Sequence, residues 1–75
     1  MMKSKNMFDV VDISTRPKRR RAVSLIVTEL TRIREAEEAY LNRIPENMEG
    51  GDAYAAADES IDLLIEAIDF LTDAY

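Results

Sequence analysis

The sequence predicts an all-α fold: an antiparallel two-helix hairpin that assembles into a four-helix bundle, as a homodimer or larger oligomer. Three observations lead there. Apolar residues recur at three- and four-residue steps through two long stretches, which is the spacing of one face of a helix. The stretches are joined by the short link PENMEGG, residues 45–51, and so brief a connection leaves consecutive helices antiparallel. The second stretch carries two neighbouring apolar stripes, whereas one partner helix covers an arc of only about 100°.

Size explains why a partner is needed. The chain has 75 residues, of which 47% are hydrophobic and 33% charged. A chain this short buries too little surface for a deep core, and such domains draw on disulfides, metals or further subunits. It contains no Cys and no His. That removes a disulfide framework, a thiolate site, and the commonest metal ligand and general base near neutral pH. Association between subunits is the support that is left. The hydrophobic content is too high for a disordered acidic tail. No run of about 18 apolar residues is present to span a membrane, and Asp9 and Asp12 interrupt the N-terminal stretch where a secretory signal would need an apolar run. The lack of Cys fits a reducing cytosol. The expectation is a cytoplasmic protein with no membrane association and no cofactor.

Residues 1–15 have no clear period. Phe8, Val10, Val11 and Ile13 suit a short strand-like arm, a hydrophobic flap or a frayed tail equally well. The hairpin domain spans residues 16–75, with its first helix expected over 17–44. Ser14 and Thr15 are capping types, and Pro17 suits a first turn, where its missing N–H would be unpaired in any case. Val23, Ile26, Leu30, Ile33, Glu37, Tyr40 and Ile44 keep an unbroken three-or-four spacing, widened by Val27 and Leu41. Pro45 ends this helix, because the residue before a proline is driven out of helical geometry.

In the turn, residues 45–52, Gly50 and Gly51 offer free backbone geometry and Asp52 is a good N-cap. The second helix is expected over 53–75. Tyr54, Ala57, Ile61, Leu64, Ile68, Leu71 and Tyr75 form one stripe, facing the other helix of the hairpin. Beside it runs a second stripe, begun by Ala53, whose predicted self-association interface is Ala56, Leu63, Ala67, Phe70 and Ala74, with Ser60 its one polar member. A single hairpin cannot bury both, and a C2 dimer is the default closed arrangement. A monomer would need the N-terminal arm to cover Leu63 and Phe70.

Charge divides at the same turn. Residues 1–43 hold all ten basic residues and six acidic ones, a net +4, while residues 44–75 hold nine acidic residues and no basic one, a net −9. Folding the hairpin about its loop sets RPKRRR, residues 16–21, beside Asp69 and Asp73. Cations at a helix N-terminus and anions at a C-terminus each oppose the macrodipole, and side by side they offset one another. Arg32 and Arg34 likewise come near Asp62 and Glu66, and Arg43 near Glu49 and Asp52. Each exposed pair is worth only ~0–1 kcal/mol, yet all favour one register.

Three constellations carry functional readings. The basic patch Arg16, Lys18, Arg19, Arg20 and Arg21 has the charge and bidentate donors that bind phosphate. The net charge of −5 and the absence of aromatics among these arginines favour a solvated first turn paired with the opposite helix. A nuclear signal is a weaker reading of the same run. Asp58, Asp62, Glu66, Asp69 and Asp73 step by four, four, three and four into one acidic ridge, with Glu59 at its edge. Such a ridge is most often the polar face of an amphipathic helix. A divalent-cation surface and a mimic of a nucleic-acid backbone are the functional alternatives. No Lys breaks the ridge, whereas most solvated faces mix signs, and this keeps the mimic in view.

Glu37 interrupts the first seam and would need Ser60 or a tyrosine hydroxyl as its partner if buried. Its expected role is to specify register, since no second acid or base faces it for catalysis. A carboxylate-bridged di-metal bundle is rejected, because that site uses Glu-x-x-His pairs and this chain has no His. Tyr40, Tyr54 and Tyr75 occupy seam positions with their hydroxyls at the water boundary. With no nucleophile–base pair, phosphate loop or metal-ligand set, no enzymatic activity is expected.

The run Leu41-Asn42-Arg43-Ile44-Pro45-Glu46-Asn47-Met48, followed by the acidic helical stretch from Ser60 to Leu71, resembles small uncharacterised phage and prophage proteins. In these a charged helix leads through a Pro-Glu-Asn-Leu turn into an Ala-, Ile- and Asp-rich helix. The resemblance covers residues 30–75. Met48 stands where leucine is usual, and Gly50-Gly51 and the basic N-terminal segment depart from the pattern. It implies a mobile-element origin and a helical hairpin, and brings no activity that attaches to a residue. The functional expectation is a protein-binding module that modulates or inhibits a host protein of defence or nucleic-acid processing. A nucleic-acid-associated factor working through Arg16 to Arg21 is the alternative.

Overall fold

The computed structural model describes residues 11–75. Two helices, α1 (Arg16–Asn42) and α2 (Asp52–Ala74), pack on each other as a hairpin, with a 3-10 turn (Glu46–Met48) between them. Val23 and Val27 lie beside Leu71 and Tyr75 at the open end, and Ile44 lies beside Ala53 at the loop end, so the helices run antiparallel. The described residues contain no strand. Of the arm proposed for residues 1–15, positions 1–10 lie outside the described residues. Val11 is half-buried in a depression with Lys18, Arg21 and Leu25 on the outer side of α1, away from Leu63 and Phe70.

Local chemistry sets the boundaries. Thr15 is the N-cap of α1, with extended backbone and a hydroxyl oxygen that accepts from the Lys18 N–H at 3.3 Å. The helix stops at Asn42, two residues before the expected end. The Arg43 and Ile44 amides donate to the carbonyls of Tyr40 and Leu41, both at 3.1 Å, tightening the last turn ahead of Pro45. The 3-10 turn closes with the Met48 amide donating to the Pro45 carbonyl at 2.9 Å.

Gly51, not Asp52, is the N-cap of α2, and Asp52 is instead the first helical residue, where its carboxylate meets the positive end of the helix dipole. Neither glycine uses the left-handed freedom expected of it, since no described glycine has positive φ. A methyl group on Gly50 would meet nothing within 4 Å, whereas one on Gly51 would lie 3.2 Å from the Met48 carbonyl oxygen. Gly50→Ala should therefore stabilise the hairpin by about 0.4–1 kcal/mol through the unfolded chain. Gly51→Ala should gain less or lose, and denaturant titration of both variants checks this.

The core is thin. Only Ala57 and Ile61 are buried among the described residues, flanked on the same α2 stripe by half-buried Tyr54, Leu64, Ile68 and Leu71. That stripe is as expected, except that Tyr75 stays exposed. The α1 seam is partly rotated. Val23, Ile26, Val27, Leu30, Glu37, Leu41 and Ile44 are half-buried as expected, Arg34 and Glu38 join them, and Ile33 and Tyr40 turn out to solvent. Arg34 and Glu38, one turn apart, neutralise each other at 2.9 Å, with the arginine side chain 25% exposed. The aliphatic stem of an arginine covers apolar surface while its head stays wet, which lets it occupy a seam position. Glu37 is half-buried rather than buried, and among the described residues it makes no hydrogen bond to Ser60 or to a tyrosine hydroxyl.

Candidate functional site

Three surfaces emerge from this hairpin, and the first is apolar. On α2, Leu63 is 58% and Phe70 73% exposed, and Ala56 and Ala74 of the predicted interface are exposed with them, while Ala67 is half-buried. At 3.6 residues per turn these positions fall on one flank of the helix. Ile33, 50% exposed, and Tyr40 fall on the flank of α1 that borders the same side of the hairpin. The rotation of the α1 seam thus adds two large side chains to a face expected from α2 alone. At the loop end the face runs into an open depression of about 400 Å³, lined by Tyr40, Ile44, Pro45, Met48 and Ala53 among others.

The acidic ridge is the second. Asp58, Asp62, Glu66, Asp69 and Asp73 are all exposed, and none takes part in an ion pair among the described residues. Their helical positions turn the ridge about a third of a turn away from the Leu63–Phe70 stripe, so covering one leaves the other open. Among the described residues no three His, Cys, Asp or Glu side chains are grouped to hold a metal.

The basic segment is the third, and its partners differ from those expected. Lys18 pairs with Asp12 at 2.7 Å, Arg19 donates to the Ile13 carbonyl at 3.1 Å, and the Arg16 guanidinium lies 4.7 Å from the centre of the Tyr75 ring. Arg32 pairs with Glu29, and Arg34 with Glu38, both within α1. Among the described residues, no ion pair links the two helices, and Arg43 pairs with neither Glu49 nor Asp52. Residues three or four apart on one helix are already neighbours, and exposed pairs within or between helices are weak.

Tyr75, not a carboxylate, ties the end of α2 to the start of α1. Tyr75→Ala should cost about 0.5–1 kcal/mol and speed amide exchange in the first turns of α1, whereas Tyr75→Phe should keep the contact. Asp12 accepts from Lys18 Nζ and from the Ser14 amide at 2.9 Å, and these bonds hold its carboxyl below the ordinary aspartate value. A lowered carboxyl contributes above its unfolded value, and that contribution disappears as pH falls through the folded one.

No helix among the described residues is long and apolar enough to cross a membrane. No family model, curated protein or solved structure matches the chain.

Proposed function

We propose that the chain is a helical protein-interaction module that works as a self-associated four-helix bundle, with a homodimer as its smallest closed form. The carrying observation is the apolar face that crosses both helices and remains exposed, while among the described residues only Ala57 and Ile61 are buried. An exposed patch of this kind marks an interaction surface on a protein this small. In a bundle closed over that face, the ridge from Asp58 to Asp73 stays outward, available to a basic-surfaced protein. The turn's resemblance to phage and prophage proteins supports a cytoplasmic modulator or inhibitor of a host defence or nucleic-acid-processing protein. Recognition in this reading needs no cofactor and involves no chemistry.

The melting temperature tests self-association. A bundle held together by a second copy melts higher as protein concentration rises, and a monomer does not. The ridge is tested by using the protein as bait in host lysate with nuclease present. A retained basic protein should be lost when Asp62, Glu66 and Asp69 are changed to their amides. Equal retention by that variant counts against the ridge.

One observation favours a second reading, in which Arg16 to Arg21 bind nucleic acid. No carboxylate of α2 neutralises the segment among the described residues, and Arg19, Arg20 and Arg21 are exposed. Phosphate binding of this kind falls steeply with salt. Arg19→Ala with Arg20→Ala should weaken it and flatten the salt slope, and absence of binding at low salt would end the reading.

A further inference from the structure

Resting on the self-association reading, we propose which way round the second copy sits: the two hairpins pack face to face with their long axes opposed. The open end of each then covers the loop end of the other. Two closed arrangements can bury the apolar face of such a hairpin. With the two-fold axis along the helices, α2 of each copy lies over α1 of the other and like ends meet. With the axis across the helices, α2 lies over α2, α1 over α1, and unlike ends meet. In both, all neighbouring helices are antiparallel, so helix packing alone does not choose.

Charge chooses. The open end, residues 11–29 and 69–75, carries five basic and four acidic side chains, Asp12 beside Lys18 among them, a net +1. The loop end, residues 35–60, carries eight acidic side chains and one basic, a net −7. The middle, residues 30–34 and 61–68, is neutral, with two of each sign. Like ends together would bring −7 against −7. Opposed ends bring +1 against −7, and the arginines left without a carboxylate partner on α2 gain acidic neighbours on the second copy.

Side-chain size points the same way. Leu63 lies at the midpoint of α2, so an axis through it sets Leu63 against Leu63 of the second copy. It also sets Phe70, the most exposed large apolar side chain among the described residues, over the small Ala56. On α1, an axis through Ile33 sets Tyr40 against Ile26. A large side chain meeting a small one across the axis is what close packing of two identical faces requires.

The chain has no Cys, so single cysteines report the arrangement directly. Ser60→Cys mixed with Ala67→Cys should form a mixed disulfide under mild oxidation, because these positions lie three residues before and four after Leu63, within about 1.5 Å of register across the axis, and bridged Cα atoms must come within about 7 Å. Raising ionic strength should weaken the wild-type dimer several-fold. Cross-linking of Ala67→Cys to Glu29→Cys instead, the pair that the like-ends arrangement sets level, or tighter association in salt, would overturn the opposed arrangement and leave self-association standing. A dimer in which neither pair cross-links would overturn it equally. A wild type that stays monomeric would overturn both this inference and the reading beneath it.

Discussion

Ile61→Ala should cost about 2–5 kcal/mol, the range for truncating a buried isoleucine. A single core in a chain of this size rarely supplies more than about 3–5 kcal/mol, so the variant should be largely unfolded at low concentration. The effect is large because the hairpin concentrates its burial at one place: among the described residues Ile61 is one of two that are buried, and Ala57, one turn earlier, is the other. Ala57→Leu should fail in the opposite sense, costing about 1–3 kcal/mol as the added methylenes push the helices apart. Ile65, 40% exposed on the outer side of α2, is the matched control, and its truncation should change little. Helicity followed against urea for the three variants checks the ranking. An Ile61→Ala protein as stable as the Ile65→Ala protein would mean that the hairpin seam lies elsewhere.

Phe70→Glu and Leu63→Glu should act on association. Burying a large apolar side chain contributes about 1.5–3 kcal/mol, and a two-fold interface counts each one twice, so either variant should raise the dissociation constant by roughly two to four powers of ten. The seam residues are untouched, so the hairpin should still form at the reduced stability of a single copy. Ala55→Glu, which adds the same charge on the outer side of α2, should leave association close to wild type. Sedimentation equilibrium on the three variants separates loss of the face from mere addition of charge. Equal weakening by Ala55→Glu would show that charge, not the apolar face, governs the result.

Much of the fold was legible because its signals are local. Thr15 and Pro17 mark the start of α1, Pro45 its end, and the three-or-four stripe of α2 through Ala57 and Ile61 is the face that packs. The α1 seam was harder to read. Two overlapping series, one through Ile26, Ile33 and Tyr40 and the other through Val27, Arg34 and Leu41, keep equally good spacing. Apolar count favours the first. Ile26 and Val27 are both half-buried, and the two series part at Ile33 and Tyr40, where Arg34 lays its stem along the seam with Glu38 one turn on to neutralise it. An Arg and a Glu four residues apart on the rival series was the available clue.

The long-range ion pairs were legible only as a tendency. Opposite charge on facing helices favours a register, but it does not decide which rotamers meet, and local partners such as Glu29 for Arg32 are closer at hand. The same imbalance retains meaning at longer range, as a lengthwise polarity of the whole hairpin. On the functional surfaces, the acidic ridge and the α2 stripe follow from spacing alone, since exposed positions on a helix are set by period. The contribution of Ile33 and Tyr40 to the apolar face follows only once the rotation of α1 is known.

The most direct test of the account is the molar mass of the wild-type protein by light scattering across a wide concentration range at low salt. A mass that rises to twice the chain's 8.6 kDa, or to a larger whole multiple, is the predicted result. A constant 8.6 kDa at every concentration would contradict it, leaving Leu63 and Phe70 on a face that no second copy covers.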